Sequence, residues 1–265
     1  MLTAVLHGKA GRVEIEGRSI GWRELFRKRE DLLTGVLFGR LSYLSDQAHD
    51  EVLSLLLGAD IAKPLGRLQA IEFWPKLGAG KRKGFVEPDV LIDYSEHRVL
   101  VEVKPPHSGA QRLGQWRAEV EALLLEEDES RPVVLLALGR NSNHSSTWAA
   151  SLQEEFIDAG LQVVCREWQE VVRGLAPILA RAEERDSRIL QDWLEAFGLF
   201  GMTNECAPFR DLLDLLSPKG QLDTSFDVLG GWRAVSASQL ALPTIDWQSL
   251  MPLVHAFESD ERKWK

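Results

Sequence analysis

Cysteine is scarce in this chain and forms no metal-binding or disulfide pattern. Cys165 and Cys206 lie far apart in the sequence and belong to no CxxC motif or Cys/His cluster, so their spacing excludes a zinc knuckle and a disulfide framework. Long apolar runs are missing too, because no stretch approaches the roughly 20 apolar residues that a membrane span requires. We therefore expect a protein of a reducing, cytoplasmic setting with no membrane partner.

Two patterns that would indicate other phosphate chemistries are also absent. The six histidines form neither an HxH nor an HExxH motif, which argues against a histidine-bound zinc and a histidine-based phosphodiesterase. The segment GAGKRKG contains glycine and lysine but lacks the GxxxxGK[ST] spacing of a P-loop. Nucleotide hydrolysis of the P-loop kind therefore has no support in the sequence.

Positive charge is in the minority, since the net charge at pH 7 is -9. Proteins that coat nucleic acid nonspecifically gain their affinity mainly from Lys and Arg residues that displace counterions, so the overall charge disfavours that class. One local basic segment, PKLGAGKRKG, carries Lys76, Lys81, Arg82 and Lys83. It has two interpretations, a solvated turn in which glycines allow tight bends, or a loop that contacts phosphates.

The hydrophobic pattern predicts an α/β fold. With 265 residues, 45% hydrophobic and 27% charged, the chain has the size and composition of a folded globular protein. Periodicity predicts two helices over 21–58, three strands in LQAIEFW, VEPDVLIDY and RVLVEVK, a helix over 108–125, and then a strand, a helix, a strand and helices up to about residue 200. This order is typical of a mixed sheet flanked by helices.

The last part of the sequence differs in pattern from the rest. The predicted domain covers residues 1–204, and after it the pattern breaks into short apolar pieces. Because the region 205–265 contains Trp232 and Trp247, we expect this C-terminal extension to pack on the core.

The residues that indicate chemistry lie in EPDVLIDYSEHRVLVEVKPP. Side chains alternate along a strand, so Glu102 and Lys104 share one face while the neighbouring valines face the core. The short turn SEHR makes a hairpin that brings Asp89 close to them. Two converging carboxylates repel each other unless a cation lies between them, and Mg²⁺ prefers oxygen ligands. The pattern predicts a metal held by Asp89, Glu102 and the Val103 carbonyl, with Lys104 beside the attacking water.

An exposed Glu-x-Lys pair on a strand is by itself ordinary, and a family resemblance makes it more specific. Pro88-Asp89, followed after twelve residues by Glu102-Val103-Lys104, resembles the motif of the PD-(D/E)XK, or restriction-endonuclease-like, nuclease superfamily. The resemblance implies an αβββαβ core over about residues 22–140, Mg²⁺ or Mn²⁺ as cofactor, and hydrolysis of phosphodiester bonds.

The same resemblance implies two accessory residues. An acidic residue on the first helix often joins the metal site, and Glu30 and Asp31 are the candidates here, although an acidic surface patch explains this pair equally well. A glutamine on the helix after the third strand recurs in several branches, and we favour Gln115 over Gln111. A polar helix face is the ordinary explanation of either glutamine.

The resulting functional hypothesis is a DNA endonuclease in a phage-defence or mobile-element context. Because the net charge is negative, we expect a protein partner or a homo-oligomer to contribute to DNA affinity. The alternative is a non-cleaving nucleic-acid-binding or assembly subunit that keeps the fold. The intact Asp89, Glu102 and Lys104 count against it, while the choice between duplex DNA, single-stranded DNA and RNA stays open.

Overall fold

The computed structural model describes residues 2–15, 17–78, 84–126 and 131–202. By its contacts the chain divides between Cys206 and Ala207, and all of the described residues precede that division. The extension predicted for 205–265, with its expected packing on the core, lies outside the described residues. No helix in the described ranges combines the length and the apolar character that crossing a bilayer requires.

Nine α-helices and nine strands occur in the described residues, together with three short 3-10 helices, Leu41–Tyr43, Lys63–Leu65 and Ile157–Ala159. The helices are α1 (Leu2–Leu6), α2 (Trp22–Lys28), α3 (Glu30–Phe38), α4 (Asp46–Leu57), α5 (Ala59–Ala62), α6 (Leu113–Leu124), α7 (Ser145–Glu155), α8 (Trp168–Leu179) and α9 (Glu184–Leu199). The strands are β1 (Arg12–Ile15), β2 (Arg18–Gly21), β3 (Leu68–Phe73), β4 (Leu77–Gly78), β5 (Phe85–Val86), β6 (Val90–Tyr94), β7 (Arg98–Val103), β8 (Val133–Leu138) and β9 (Gln162–Arg166).

Five strands form one mixed sheet in the order β3-β6-β7-β8-β9. Strand β6 is antiparallel to both of its neighbours, β3 and β7, whereas β7, β8 and β9 run parallel. The predicted mixed α/β architecture with a central sheet is therefore confirmed. The carboxyl ends of β3, β7, β8 and β9 meet at one edge of this sheet, together with the amino end of β6.

Both faces of the sheet are covered by apolar side chains. On one face the strands pack against α3, α4, α8 and α9, and the strand residues include Val90, Ile92, Val99, Val101, Val103 and Leu136. On the other face they pack against α6, through residues that include Leu91, Leu100, Leu135, Trp116, Val120 and Leu123. Strand β7 is buried along its whole length, so Glu102 is a buried charged residue between Val101 and Val103.

Two helix boundaries differ from the sequence prediction, and both affect the site. The first of the two helices predicted over 21–58 is interrupted at Arg29, which takes an extended conformation with φ -112° and ψ 113°, so Glu30 becomes the first residue of α3. The helix predicted from 108 begins at Leu113, because Gly109 has a φ of +71° and Arg112 is extended, with φ -138° and ψ 124°, and neither conformation occurs in a right-handed helix. Gln111 therefore lies in the loop before α6.

Candidate functional site

The residues of the predicted motif meet at the edge of the sheet where β7 ends. Val90 pairs with Val101 across β6 and β7, so Asp89, just before β6, lies beside Glu102. The two strands are antiparallel, which is why a residue at the start of one reaches a residue at the end of the other. The hairpin seen in the sequence therefore places both carboxylates at one point.

A third carboxylate joins these two from the other face of the sheet. Glu30, Asp89 and Glu102 each offer an oxygen, and these oxygens all lie within 4.8 Å of one another. Asp89 and Glu102 are 5% and 1% exposed, while Glu30 at the start of α3 is partly exposed. The amide of Val103 donates a hydrogen bond of 2.7 Å to Asp89 Oδ2, which holds that carboxylate against the end of β7.

Lys104 supplies the positive charge of the cluster. Its Nζ donates to Glu102 Oε1 and lies 3.3 and 3.4 Å from the two carboxylate oxygens of Glu30. Burial lowers the pKa of Lys104, but the neighbouring carboxylates, Glu102 above all, outweigh burial and raise it. The Lys104 ammonium therefore stays charged, and it contacts two of the three carboxylates, those of Glu102 and Glu30.

The backbone of Lys104 is fixed by the neighbouring strands and by α8. Its amide donates to Leu138 O at 2.8 Å, and its carbonyl accepts a 2.8 Å hydrogen bond from Trp168 Nε1. This contact requires glycine at 139, since a Cβ there would collide with the Trp168 indole and the Lys104 carbonyl. The lysine therefore projects from a rigid base.

Burial and the charges of neighbouring carboxylates raise the pKa values of Asp89 and Glu102. Burial, followed by the charge of Glu102, raises the pKa of Asp89 to about 8. Burial, followed by the charge of Glu119, raises the pKa of Glu102 to about 8. Carboxylates held together in this way are relieved by a cation with several positive charges, and oxygen donors are the set that Mg²⁺ and Mn²⁺ prefer. The donor set is thus compatible with the predicted metal.

The two candidate glutamines have different contacts. Gln115, on the first turn of α6, donates through Nε2 to Glu102 Oε1 at 2.7 Å. Gln111 donates to the backbone carbonyls of Glu102 and Gly139, both at 3.2 Å, and accepts from Trp116 Nε1 at 2.8 Å. Gln115 contacts a carboxylate of the cluster, as favoured from the sequence, whereas Gln111 ties the ends of β7 and β8 together.

Sequence reasoning missed Glu119. This residue is 2% exposed, accepts a 2.9 Å hydrogen bond from Gln115 Nε2, and its Oε2 is buried without a hydrogen-bond partner. Burial raises its pKa to about 7. The helix periodicity could have indicated this burial. Residue 119 lies next to Trp116, Val120 and Leu123 on the apolar stripe of the helix, where a surface glutamate is not expected.

The Glu119→Gln substitution should stabilise the protein in the absence of metal. It keeps the shape of the side chain and removes a buried negative charge beside Glu102, so the pKa of Glu102 should fall. We expect the melting temperature at pH 8 in EDTA to rise by about 2–4 °C, the shift that roughly 1 kcal/mol produces in a protein of this size. Glu121→Gln, an exposed position on the same helix, is the matched control. A lower melting temperature for Glu119→Gln would mean that the charge is compensated.

The other predicted residues are distributed as follows. Asp31 is exposed, so Glu30 is the acidic residue of that pair within the cluster. Val103 contributes its amide, and the ligand role predicted for its carbonyl stays a prediction. Lys76 is exposed, with its Nζ 5.1 Å from the centroid of the Phe85 ring. The remaining predicted phosphate contacts, Lys81, Arg82 and Lys83, lie outside the described residues.

Comparison with known proteins identifies one relative of substantial length. A protein of Pasteurella multocida (strain Pm70), named "Uncharacterized protein PM0110", is 30% identical over 207 residues, which make up 74% of this chain and 78% of the relative. No family model matches the chain, and no solved structure matches it. The name of this relative states no activity, so the comparison assigns none to this chain.

Proposed function

This chain belongs to the family of that Pasteurella multocida protein, and we propose that it is a metal-dependent nuclease of the PD-(D/E)XK superfamily. The observation that supports the proposal is the convergence of three carboxylates, Glu30, Asp89 and Glu102, within 4.8 Å. Lys104 lies in hydrogen-bond contact with Glu102 and Glu30. These are the side chains that phosphodiester hydrolysis with a hard cation requires.

The order of elements around the site supports the same assignment. Helices α3 and α4 precede β3, β6 and β7, which are followed by α6 and β8. We propose that this αβββαβ series is the restriction-endonuclease-like core, with β9, α8 and α9 as additions to it. The proposal also includes the remaining expectations, a DNA substrate, a defence or mobile-element role, and a partner or second copy that assists binding.

Each residue at the sheet edge has its own task in this proposal. Glu30, Asp89 and Glu102 would hold Mg²⁺ or Mn²⁺, which supplies positive charge that polarises a phosphate and lowers the pKa of a bound water. Lys104 orients the attacking water or offsets negative charge that develops on the phosphate. Gln115 keeps the Glu102 carboxylate in place through its hydrogen bond to Oε1.

A cleavage assay with three substrates tests the proposed activity. Purified protein is incubated with supercoiled plasmid, single-stranded DNA and RNA in Mg²⁺, in Mn²⁺ and in EDTA, with Asp89→Asn as the inactive control. We expect cleavage of DNA in Mg²⁺ or Mn²⁺ and none in EDTA. Binding without cleavage under every condition would favour the non-cleaving subunit, and cleavage that survives in Asp89→Asn would contradict the assignment of the carboxylate cluster as the catalytic centre.

The Lys104→Ala substitution should separate catalysis from metal binding. Cleavage is expected to slow by about 10²–10⁴-fold, the range for a positioned proton-transfer group. Mn²⁺ affinity should be unchanged or higher, because the ammonium no longer competes for Glu102 and Glu30. Single-turnover rates and calorimetric titration measure the two quantities, with exposed Lys63→Ala as the control. Normal rates in Lys104→Ala would place this lysine outside the chemistry.

The basic segment offers a test of where DNA is held. If Lys81 and Lys83 contact phosphates, the double substitution Lys81→Ala/Lys83→Ala should weaken binding for all sequences alike. It should also reduce the slope of log affinity against log salt concentration by about 0.9 per lost contact on duplex DNA. Cleavage at saturating DNA should change little. Slopes identical to that of the unmodified protein would assign the segment to a solvated turn.

A further inference from the structure

Trp74 lies beside the carboxylate cluster, but no catalytic task accounts for it. It follows the last residue of β3, and its amide donates a 3.1 Å hydrogen bond to the carbonyl of Asp89. The backbone of Trp74 is therefore hydrogen-bonded to that of Asp89, a proposed metal ligand at the same edge of the sheet. Trp74 is 38% exposed and its ring lies 5.5 Å from the ring of Phe73, so the tryptophan packs on the edge of the core with part of its surface in solvent.

The backbone of Trp74 also disfavours a large side chain. Its φ is +49°, and only Trp74 and Arg140 combine a positive φ with a side chain in the part of the chain that the structure describes. Left-handed backbone is the region that glycine occupies without cost and that bulky residues rarely adopt. Such a conformation in an exposed aromatic residue beside a site points to a function for the ring.

A second exposed aromatic residue follows in the hairpin of β4 and β5. Phe85 is 55% exposed and pairs with Gly78, while the neighbouring pair joins Leu77 to Val86. Leu77 and Val86 belong to the apolar cluster around α6, so Phe85 faces the opposite side of the hairpin. The Lys76 ammonium, 5.1 Å from the ring centroid, accompanies Phe85 on that outer side.

The chemistry of this segment matches that of a nucleic-acid strand. Lys76, the basic residue of this segment that the structure describes, is exposed and carries its ammonium beside the Phe85 ring, where it can pair with a phosphate. Exposed aromatic rings beside basic residues are the combination by which proteins bind single strands, because each unpaired base offers a face for stacking. A purely apolar partner surface would not need the Lys76 ammonium beside the Phe85 ring.

We propose that Trp74 and Phe85 stack against unpaired bases of a nucleic-acid strand whose backbone continues into the carboxylate cluster. This inference rests on the proposed function, because it names the substrate class of the proposed nuclease as single-stranded or locally opened nucleic acid. The two proposals can be tested separately, because base stacking requires neither a metal nor cleavage. Binding in EDTA therefore isolates it.

The experiment compares two oligomers of equal length in EDTA by fluorescence anisotropy, oligo(dT) and an abasic deoxyribose-phosphate strand. The unmodified protein should bind oligo(dT) more tightly. Trp74→Ala and Phe85→Ala should each weaken oligo(dT) binding by about 5- to 150-fold, the loss expected for one base-stacking contact, and leave abasic binding unchanged. Trp74→Phe should retain most of the affinity, and Tyr43→Ala, which removes another exposed aromatic ring, should retain all of it.

The Trp74→Gly variant distinguishes stacking from a structural role. Glycine suits the positive φ, so the melting temperature should be unchanged or higher while the preference for oligo(dT) disappears. Equal affinity of the unmodified protein for the two strands would overturn the inference. So would a concentration-dependent dimer that Trp74→Ala abolishes, since the rings would then pack against a second copy. If base-dependent binding appears without cleavage in any metal, the nuclease proposal fails and the stacking surface stands.

Discussion

Cleavage should be lost when either buried carboxylate of the cluster becomes an amide, in Asp89→Asn or in Glu102→Gln. Each substitution keeps the shape of the side chain and removes one anionic oxygen ligand from the cation. Loss of groups that merely support a ligand costs 10–100-fold in activity or metal affinity, so loss of a ligand should cost at least about 100-fold. Cleavage rates at saturating substrate and Mn²⁺ titration calorimetry measure both effects.

Melting temperatures distinguish a loss of catalysis in these variants from a loss of folded structure. Both variants remove a buried charge, so in EDTA at pH 8 they should melt at or above the temperature of the unmodified protein. Asp31→Asn is the matched control, because Asp31 is exposed and stands next to Glu30 in the sequence. Activity close to normal in Asp89→Asn or Glu102→Gln would show that the cluster is not the catalytic centre.

Thermal stability should fall as pH rises in the absence of metal and recover when metal is added. Folding raises the pKa of Asp89 from 3.8 and of Glu102 from 4.5, in each case to about 8. Between these values the folded protein binds more protons than the unfolded chain, so stability decreases as pH increases. From pH 5 to pH 8 in EDTA we expect a loss of at least about 3.5 kcal/mol, the amount for one such carboxyl group, or roughly 7–14 °C in melting temperature.

Metal binding should reverse this trend because it requires the charged carboxylates. At pH 8, Mn²⁺ at about 100 times its Kd should add roughly 2.7 kcal/mol of stability, and at pH 5 it should add little. His49 acts in the opposite direction, since burial lowers its pKa and its contribution is lost on acidification. Comparing the unmodified protein with Glu102→Gln removes that background. A stabilisation by Mn²⁺ that does not depend on pH would contradict the coupling.

The periodicity of the sequence was sufficient to predict the five strands of the central sheet, the helices between them and the central motif, but not the β4-β5 pair or the break at Arg29. Strand alternation places Glu102 and Lys104 on one face of β7, and the short turn after β6 brings Asp89 beside them. Both statements follow from local geometry, because side chains alternate along a strand and a short hairpin fixes the register. The mixed α/β architecture follows in the same way from the alternation of periods along the chain.

Contacts between distant parts of the chain were decided by tertiary structure alone. Glu30 joins the cluster and Asp31 does not, because the interruption at Arg29 starts α3 at Glu30, and no local pattern indicated that break. The sequence predicts Gln111 and Gln115 on one helix, with Gln115 favoured, but their contacts differ in kind because the helix begins only at Leu113.

The electrostatic character of the site is likewise a product of packing. Glu119 lies on the face of α6 that packs on the sheet and is buried there, and the neighbouring Glu102 is 1% exposed. Sequence alone shows that such residues are acidic, whereas their pKa values depend on how much water the fold removes and on which charges it brings close. The amino-acid sequence determined which groups are available for chemistry. The packing of helices on both faces of the sheet determined which of them lose their solvent and meet at one point.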